Sequence, residues 1–321
     1  MTSKSNIPLL EVDEVKITII MDNTVDLLMA STEVASRFSS YSKDVLPIAE
    51  HGFSALIQVK SGDKQGTVLL DTGMTANGVL HNMTALGIDL SDLQAIVISH
   101  GHCDHTLGLP NLIEKLGTQQ CSLVLHPDAY LERKIVIPDG QELSISPPQI
   151  TALRKENISF VENTGPTLLA DNMILVSGEI ARSTEFEKGF PIHYSNRNGK
   201  WENDPYIKDD QCIIMNVRGQ GLVVITGCCH SGIINTIRHA QTLTNCQQVY
   251  AILGGLHLTG GIFEEIIPAT ITELKKINPT YLMPGHCTGW SAIHQIAQTM
   301  PQAFIPNSVG TTVVFKANKK D

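Results

Sequence analysis

Positive charge, aromatic rings and long apolar runs are all scarce in this chain. Its 321 residues hold 23 Lys and Arg against 32 Asp and Glu, a formal charge of -9. That balance argues against a general nucleic-acid binder, although a local basic patch can hide within it. No apolar run approaches the length of a membrane span. The opening Met1-Thr2-Ser3-Lys4-Ser5-Asn6 leads into no signal-like core, so a cytoplasmic protein is expected. Aromatic residues make up 5% of the chain, which leaves few side chains to sandwich a flat ligand. The seven cysteines are odd in number and scattered, without a dense disulfide framework, as suits a reducing compartment. What is present, 42% hydrophobic and 17% charged, is the composition of an ordinary globular protein able to bury a sizeable core.

Against that plain background one stretch stands out. Ser99-His100-Gly101-His102-Cys103-Asp104-His105-Thr106 packs three imidazoles and a carboxylate into eight residues. The apolar run Ala95-Ile96-Val97-Ile98 precedes it, and a helix-like segment from Leu107 to Glu114 follows. That pattern is a buried strand delivering a tight loop into a helix start, where α/β proteins keep their chemistry. The spacing cannot set all four side chains around one ion, but it can supply two ligands to one metal and two to a neighbour. Imidazole and carboxylate suit zinc, iron or manganese, and an open position on such an ion activates water. The competing reading is a polar turn whose histidines pair with backbone carbonyls. So many polar groups beside a buried strand need partners, which weighs against it. The stretch is similar to the signature of the metallo-β-lactamase superfamily.

Around this motif the chain alternates hairpins with strand-helix units. Residues 14–21 read as a strand, 24–50 as a surface excursion, and 53–60 with 66–71 as a hairpin. Helical pattern follows over 79–86, and strands over 122–126 and 173–177. The second half repeats the grammar: a hairpin over 212–217 and 222–226, a helix after His230, a strand over 249–253, a helix over 262–277, a short strand over 281–283, a helix over 290–299 and a last strand over 311–315. Two such halves imply an α/β (α+β) protein with two mixed sheets face to face and helices outside. The resemblance implies the same αββα sandwich, with metals at one edge of the sheets. A single domain is expected over 1–321. Residues 182–208 hold Phe186, Phe190, Tyr194, Trp201 and Tyr206 without helical or strand period, and so read as a lid.

Two metals need ligands from distant strand ends. His286, in Met283-Pro284-Gly285-His286, resembles the last histidine ligand of the superfamily. His230, in Thr226-Gly227-Cys228-Cys229-His230-Ser231-Gly232, leaves a strand and opens a helix; the alternative there is an anion contact at the helix start. In many superfamily members the matching strand ends in Gly-Asp, whose Asp bridges the metals. Here Cys228 stands in that place, as in one group of zinc β-lactamases, and a thiolate would favour zinc. Otherwise Cys228 is a core cysteine and Asp209 or Asp210 completes the second site. Glu179, Asp210 and His257 are candidates for binding substrate or steadying a ligand from behind. His51, Asn23 and Asp71 are further candidates for the latter role, and His126 reads as ordinary.

A narrower resemblance covers most of the chain. Leu70-Asp71-Thr72-Gly73, Gly178-Glu179-Ile180, Asp209-Asp210-Gln211, Gly221 through Ile233, Ile252 through Leu258 and Pro284 through Gly289 are similar to the 7,8-dihydropterin-6-methyl-4-(β-D-ribofuranosyl)aminobenzene-5′-phosphate synthase-like branch. The leading expectation is a metallohydrolase holding two divalent ions, zinc first with Mn2+ or Fe2+ as alternatives. In it a metal-activated hydroxide, oriented by the ligand Asp104, attacks a phosphoester or related anionic substrate. The helix start beside His230 supports an anion. The branch implies a different activity: a dihydropterin diphosphate loses pyrophosphate as an aminobenzene ribosyl phosphate forms the new bond to carbon, with Glu179, Asp209 or Asp210 reading the pterin edge. A non-enzymatic metal or ligand sensor is the minor alternative. The expected partner is a small anionic molecule rather than a membrane or nucleic acid, and a homo-oligomer is open.

Overall fold

A computed structural model describes residues 7–40, 44–147 and 153–318, so the reading of Met1–Asn6 lies outside the described residues. Two sheets face each other. One has eight strands in the spatial order Ile158–Glu162, Cys121–Leu125, Ala95–Val97, Lys64–Leu70, Ser54–Ser61, Glu14–Met21, Thr312–Lys316 and Ala35–Ser36. The other runs Thr167–Leu169, Ile174–Val176, Cys212–Val217, Gly221–Thr226, Val249–Gly255 and Tyr281–Gly285, with Glu11–Val12 added alongside Cys212–Val217.

Strand periodicity sorts the apolar residues between layers. Ile17, Ile57, Val68 and Val97 of the first sheet meet Ile213, Met215, Val223 and Leu253 of the second in the central core. Their alternates point outward. Leu56, Leu69 and Ile96 pack under the helices Gly78–Leu86 and Leu109–Leu116, while Ile252 and Leu282 pack under Ile233–Thr244, Ile267–Ile277 and Trp290–Thr299. The result is the expected αββα sandwich. Among the described residues, no helix is long and apolar enough to cross a membrane.

The parts that differ from the sequence pattern lie together. Residues 182–208 are not without regular structure: His193–Arg197 and Lys200–Asn203 form an antiparallel hairpin. It joins Arg133–Val136 and Glu142–Ile145 in a third sheet of four strands. The excursion over 24–50 contains a two-residue strand, and the helix expected from 262 begins as a 3-10 turn at Glu264–Ile266.

Each large sheet is mixed but contains a parallel run, Lys64–Leu70, Ala95–Val97 and Cys121–Leu125 in the first and Gly221–Thr226, Val249–Gly255 and Tyr281–Gly285 in the second, so the C-terminal ends within each run share one edge. Asp71, His100, Cys228, His257 and His286 all follow such ends. Four residues at this edge, Asp71, Cys229, His257 and His286, hold a left-handed backbone with φ of 57, 66, 44 and 46°. Such conformations are uncommon for residues other than glycine and collect where a site dictates direction.

Candidate metal centre

The strand Ala95–Val97 is paired on both sides, which fixes the start of the histidine loop. Three further contacts hold the loop. Gln211 donates through its backbone N–H to Ser99 O at 3.0 Å and through its side chain to Ile98 O at 2.9 Å. Gly101 N–H donates to Asp209 Oδ2 at 2.7 Å, and the other Asp209 oxygen pairs with the buried Arg133 at 2.7 Å. Asp209 is therefore a brace for the loop, not a spare metal ligand. Asp210 is likewise engaged: its Oδ2 accepts from Ser231 N–H at 2.8 Å, and burial pushes its carboxyl up to about 6.

Six of the seven expected donors divide into two groups. In the first, His100 Nε2 lies 3.0 Å from His102 Nδ1, and His230 Nε2 lies 3.2 and 3.1 Å from those two atoms. In the second, Asp104 Oδ2 lies 3.4 Å from His105 Nε2 and 3.2 Å from His286 Nε2. The seventh, Cys228 Sγ, sits 3.1 Å from His105 Nε2 and 3.2 Å from His286 Nε2. It is also within 4.8 Å of the donor nitrogens of His100 and His230, so the one sulfur reaches both groups. That is the place the resemblance gave to a bridging carboxylate.

The outer nitrogens decide where the inner lone pairs point. His105 Nδ1 is 2.7 Å from Asp71 Oδ2, and a carboxylate can only accept, so the proton is on Nδ1. Ser99 Oγ donates to the same carboxylate at 2.7 Å, which leaves it to accept from His100 Nδ1 at 2.9 Å. His286 Nδ1 is 3.2 Å from Asn23 Oδ1. His102 Nε2 is 3.1 Å from His193 Nε2, and His193 Nδ1 lies 2.9 Å from the Asp204 carbonyl. Thus four imidazoles hold a hydrogen outward and turn inward the nitrogen that is bare whenever the ring is neutral, as it is for His100 and His102. Bare nitrogens this close repel unless a cation sits among them, so the donor set fits divalent metal ions. His230 is the exception, since its buried Nδ1 has no partner among the described residues.

Close packing makes this possible. A Cβ on Gly227 would collide with Ser99 Oγ and the Asp71 carboxylate, so only glycine lets the second sheet approach the Asp71–Ser99–His105 cluster. Asp22 accepts from His286 N–H at 3.0 Å and from Asn307 Nδ2 at 2.7 Å, holding the strained His286 turn. His51, 61% exposed, stands 3.7 Å from Asp104 Oδ2 on the open side.

Burial in contact with other imidazoles and Arg133 holds His100 and His102 well below the usual histidine range, and burial beside His257 and His100 does the same for His230. The second group is of mixed sign. Burial opposes charge on His105, but Asp104 and Asp71 outweigh it and raise its pKa well above the ordinary value. Asp104 is held well below the carboxylate range, because His105 and His286 overcome its burial. In the metal-free chain burial pushes the Cys228 thiol well up.

Of the other expected residues, His257 stays beside the donors, with a ring nitrogen within 4.8 Å of the sulfurs of Cys228 and Cys287. His257 lines a cavity of about 520 Å³ that also reaches His230, with Phe263 4.4 Å away between ring centroids. Glu179 is apart from the donors. It lies 3.3 Å from His126 and, with Arg197, Asp204 and Lys208, lines a second cavity of about 460 Å³. The helix start after His230 is not an open anion site. The buried Glu187 already accepts there from Ile234 and Asn235 N–H, both at 2.8 Å. Sequence reasoning also missed Arg133 and His193, a lone histidine in a polar segment that carries no motif. Of the lid aromatics, Phe190 lies 6.0 Å from His193 and from His257 and Phe186 lines the cavity with His230, whereas Trp201 faces Lys134 and Tyr206 faces Arg182.

Comparison with known proteins agrees with this architecture. The model of the metallo-beta-lactamase superfamily matches residues 48–169. The 7,8-dihydropterin-6-methyl-4-(beta-D-ribofuranosyl)-aminobenzene-5'-phosphate synthase of Methanocaldococcus jannaschii is 29% identical over 275 residues, covering 83% of this chain and 90% of the relative. The uncharacterized protein MJ0448 of the same organism is 30% identical over 253 residues, 78% of this chain and 88% of its own length. Among solved structures, Tm1679, a metal-dependent hydrolase of the beta-lactamase superfamily, superposes with a TM-score of 0.71 at 22% identity, covering 94% of this chain and 99% of that one. The chain belongs to the metallo-beta-lactamase superfamily.

Proposed function

We propose that this protein is a metal-dependent hydrolase of an anionic ester, with one divalent ion held by His100, His102 and His230 and a second by Asp104, His105, Cys228 and His286. Zinc is the first choice of metal, because Cys228 offers a soft donor. The observation that carries the reading is the inward turn of four imidazole donor nitrogens, each aimed by a hydrogen bond at the ring's outer nitrogen. When bound, such ions would polarise an ester oxygen and lower the pKa of a water molecule.

The chain's own residues supply the rest. Asp104, held ionised by its two histidine neighbours, orients and accepts a hydrogen bond from the attacking water through its carboxylate. Phe186 and Phe263 wall the 520 Å³ cavity, which is within the size range of small-molecule sites, and Phe190 backs Phe263 at 5.2 Å between ring centroids. They exclude water and select among substrates, and residues 182–208 act as the cover that carries Phe190. With Glu187 filling the helix start, attraction of the anion falls to the metal charge itself. The test is a panel of phosphodiesters, lactones and thioesters offered to metal-loaded protein. Metal-dependent hydrolysis of the phosphodiesters supports the reading; hydrolysis of lactones or thioesters alone would keep the hydrolase and remove the anionic substrate, and no hydrolysis of any class ends it.

One observation favours a second reading, the pterin transferase: the likeness to the synthase extends over most of both chains. Two of the three carboxylates expected to read a pterin edge are committed, Asp209 to Arg133 and Asp210 to Ser231, which leaves Glu179. Dihydropterin diphosphate and the aminobenzene ribosyl phosphate are the substrates to supply. Pyrophosphate release that requires both, without simple hydrolysis, would replace the hydrolase by the transferase.

A further inference from the structure

The geometry points to His193 as a positioning residue: borne on the hairpin of the third sheet, it fixes the tautomer of His102 and so aims His102 Nδ1 into the first donor group. The inference rests on the metal-binding reading above for its effect on affinity, but the tautomer itself is a property of the metal-free chain.

His193 is fully buried, 91 residues from His102 in sequence. Its Nδ1 lies 2.9 Å from the Asp204 carbonyl oxygen, which can only accept, so Nδ1 carries the hydrogen and Nε2 a lone pair. That lone pair faces His102 Nε2 at 3.1 Å. The hydrogen between the two rings must then belong to His102, whose Nδ1 is left bare toward His100 Nε2 and His230 Nε2. The reverse assignment would set His193 Nδ1 and the Asp204 carbonyl lone pair to lone pair at 2.9 Å in a buried place.

The small sheet holds this acceptor in place. His193 pairs with Ile135, and its carbonyl accepts from Asp204 N–H at 2.9 Å and Asn203 Nδ2 at 3.0 Å. Asp204 is tied in turn to Ser195 Oγ at 2.5 Å, and Arg197 pairs with Asp128 through two contacts of 2.9 and 2.6 Å. The segment that composition reads as a cover thus also sets one donor of the site it covers.

Full-length protein stripped of metal and titrated with Zn2+ against a chelating indicator, and separately with Co2+, tests the effect. Wild type should show two binding events. His193→Phe keeps a ring beside Phe190 but removes the acceptor, and should weaken one event by about 10–100-fold, the range seen when a partner behind a ligand is lost. The other event, marked by the thiolate-to-cobalt absorption of Cys228, should not move. His193→Gln, whose side-chain oxygen accepts the same hydrogen, should recover most of the loss. Wild-type behaviour of the Phe variant, equal weakening of both events, or a Gln variant no better than Phe overturns the inference. Absence of any binding by wild type would instead sink the metal reading. Ring 15N signals of His102 in metal-free wild-type protein then decide alone: hydrogen on Nε2 upholds the positioning role, and hydrogen on Nδ1 refutes it.

Discussion

The two donor groups share one sheet edge and one sulfur, yet they are built on opposite electrostatic plans. His100, His102 and His230 form a set of neutral imidazoles, each kept from protonation by burial and by the others. Asp104, His105, Cys228 and His286 form a mixed set, in which a carboxylate stays ionised and a histidine is favoured in its charged form. The first group is ready for a cation as it stands. The second must shed protons to accept one, from Cys228 and from His105 and His286, both raised, because a bound metal needs the neutral ring and the thiolate. Burial and the charge of the neighbouring side chains thus set how each half of the cluster responds to pH.

The largest effect that would break or uphold this division comes from His102→Ala. It removes the central donor of the first group, so turnover should fall below detection and metal content should drop by about one ion, with the fold largely kept. Metal analysis beside circular dichroism checks it, and full activity in the variant contradicts the account. Next is Cys228→Ser, which should weaken one site by more than the roughly 100-fold typical of an outer partner and make zinc less preferred. Cys229→Ser is the control. Its sulfur faces Thr236 Oγ1 at 3.4 Å inside the helix-side core, and metal affinity should hardly change. Equal, negligible effects would return Cys228 to the core.

The pH response is a gentler probe of the same contrast. His105 is raised and Cys228 is pushed up in the metal-free chain, so second-group affinity should climb with pH, about tenfold per unit for each proton released. The first group's histidines are already neutral well below their usual titration range, and its affinity should be flat from about pH 6 to 8. Titrations at several pH values read both slopes, and equal slopes would erase the distinction. The smallest effect is expected from Phe190→Ala, which should alter the ranking of substrates while both metals stay bound.

How much of this was legible in the chain depends on burial. Strands such as Ala95–Val97 and Gly221–Thr226 are buried throughout and stand out as apolar runs, so both large sheets and the loops at their ends could be found. Lys200–Asn203 is exposed along its whole length and Glu142–Ile145 nearly so, leaving no apolar alternation to announce the third sheet. His193 was hidden with it. Spacing drew attention to His100, His102, Asp104 and His105, and position after a strand did the same for Cys228, His230 and His286. Nothing local could show that Asp209 faces Arg133, or that Glu187 reaches across 47 residues to occupy the helix start beside His230. Those are long-range pairings of single charged groups, and they changed the expected roles of Asp209 and of the supposed anion site.

The number of bound metals is the most direct test of two separate donor groups. Protein purified without added metal, then loaded, dialysed and analysed by elemental mass spectrometry, should carry about two transition-metal ions per chain, lost in two separable steps to a strong chelator. One ion, none, or activity that persists undiminished in the chelator would contradict it.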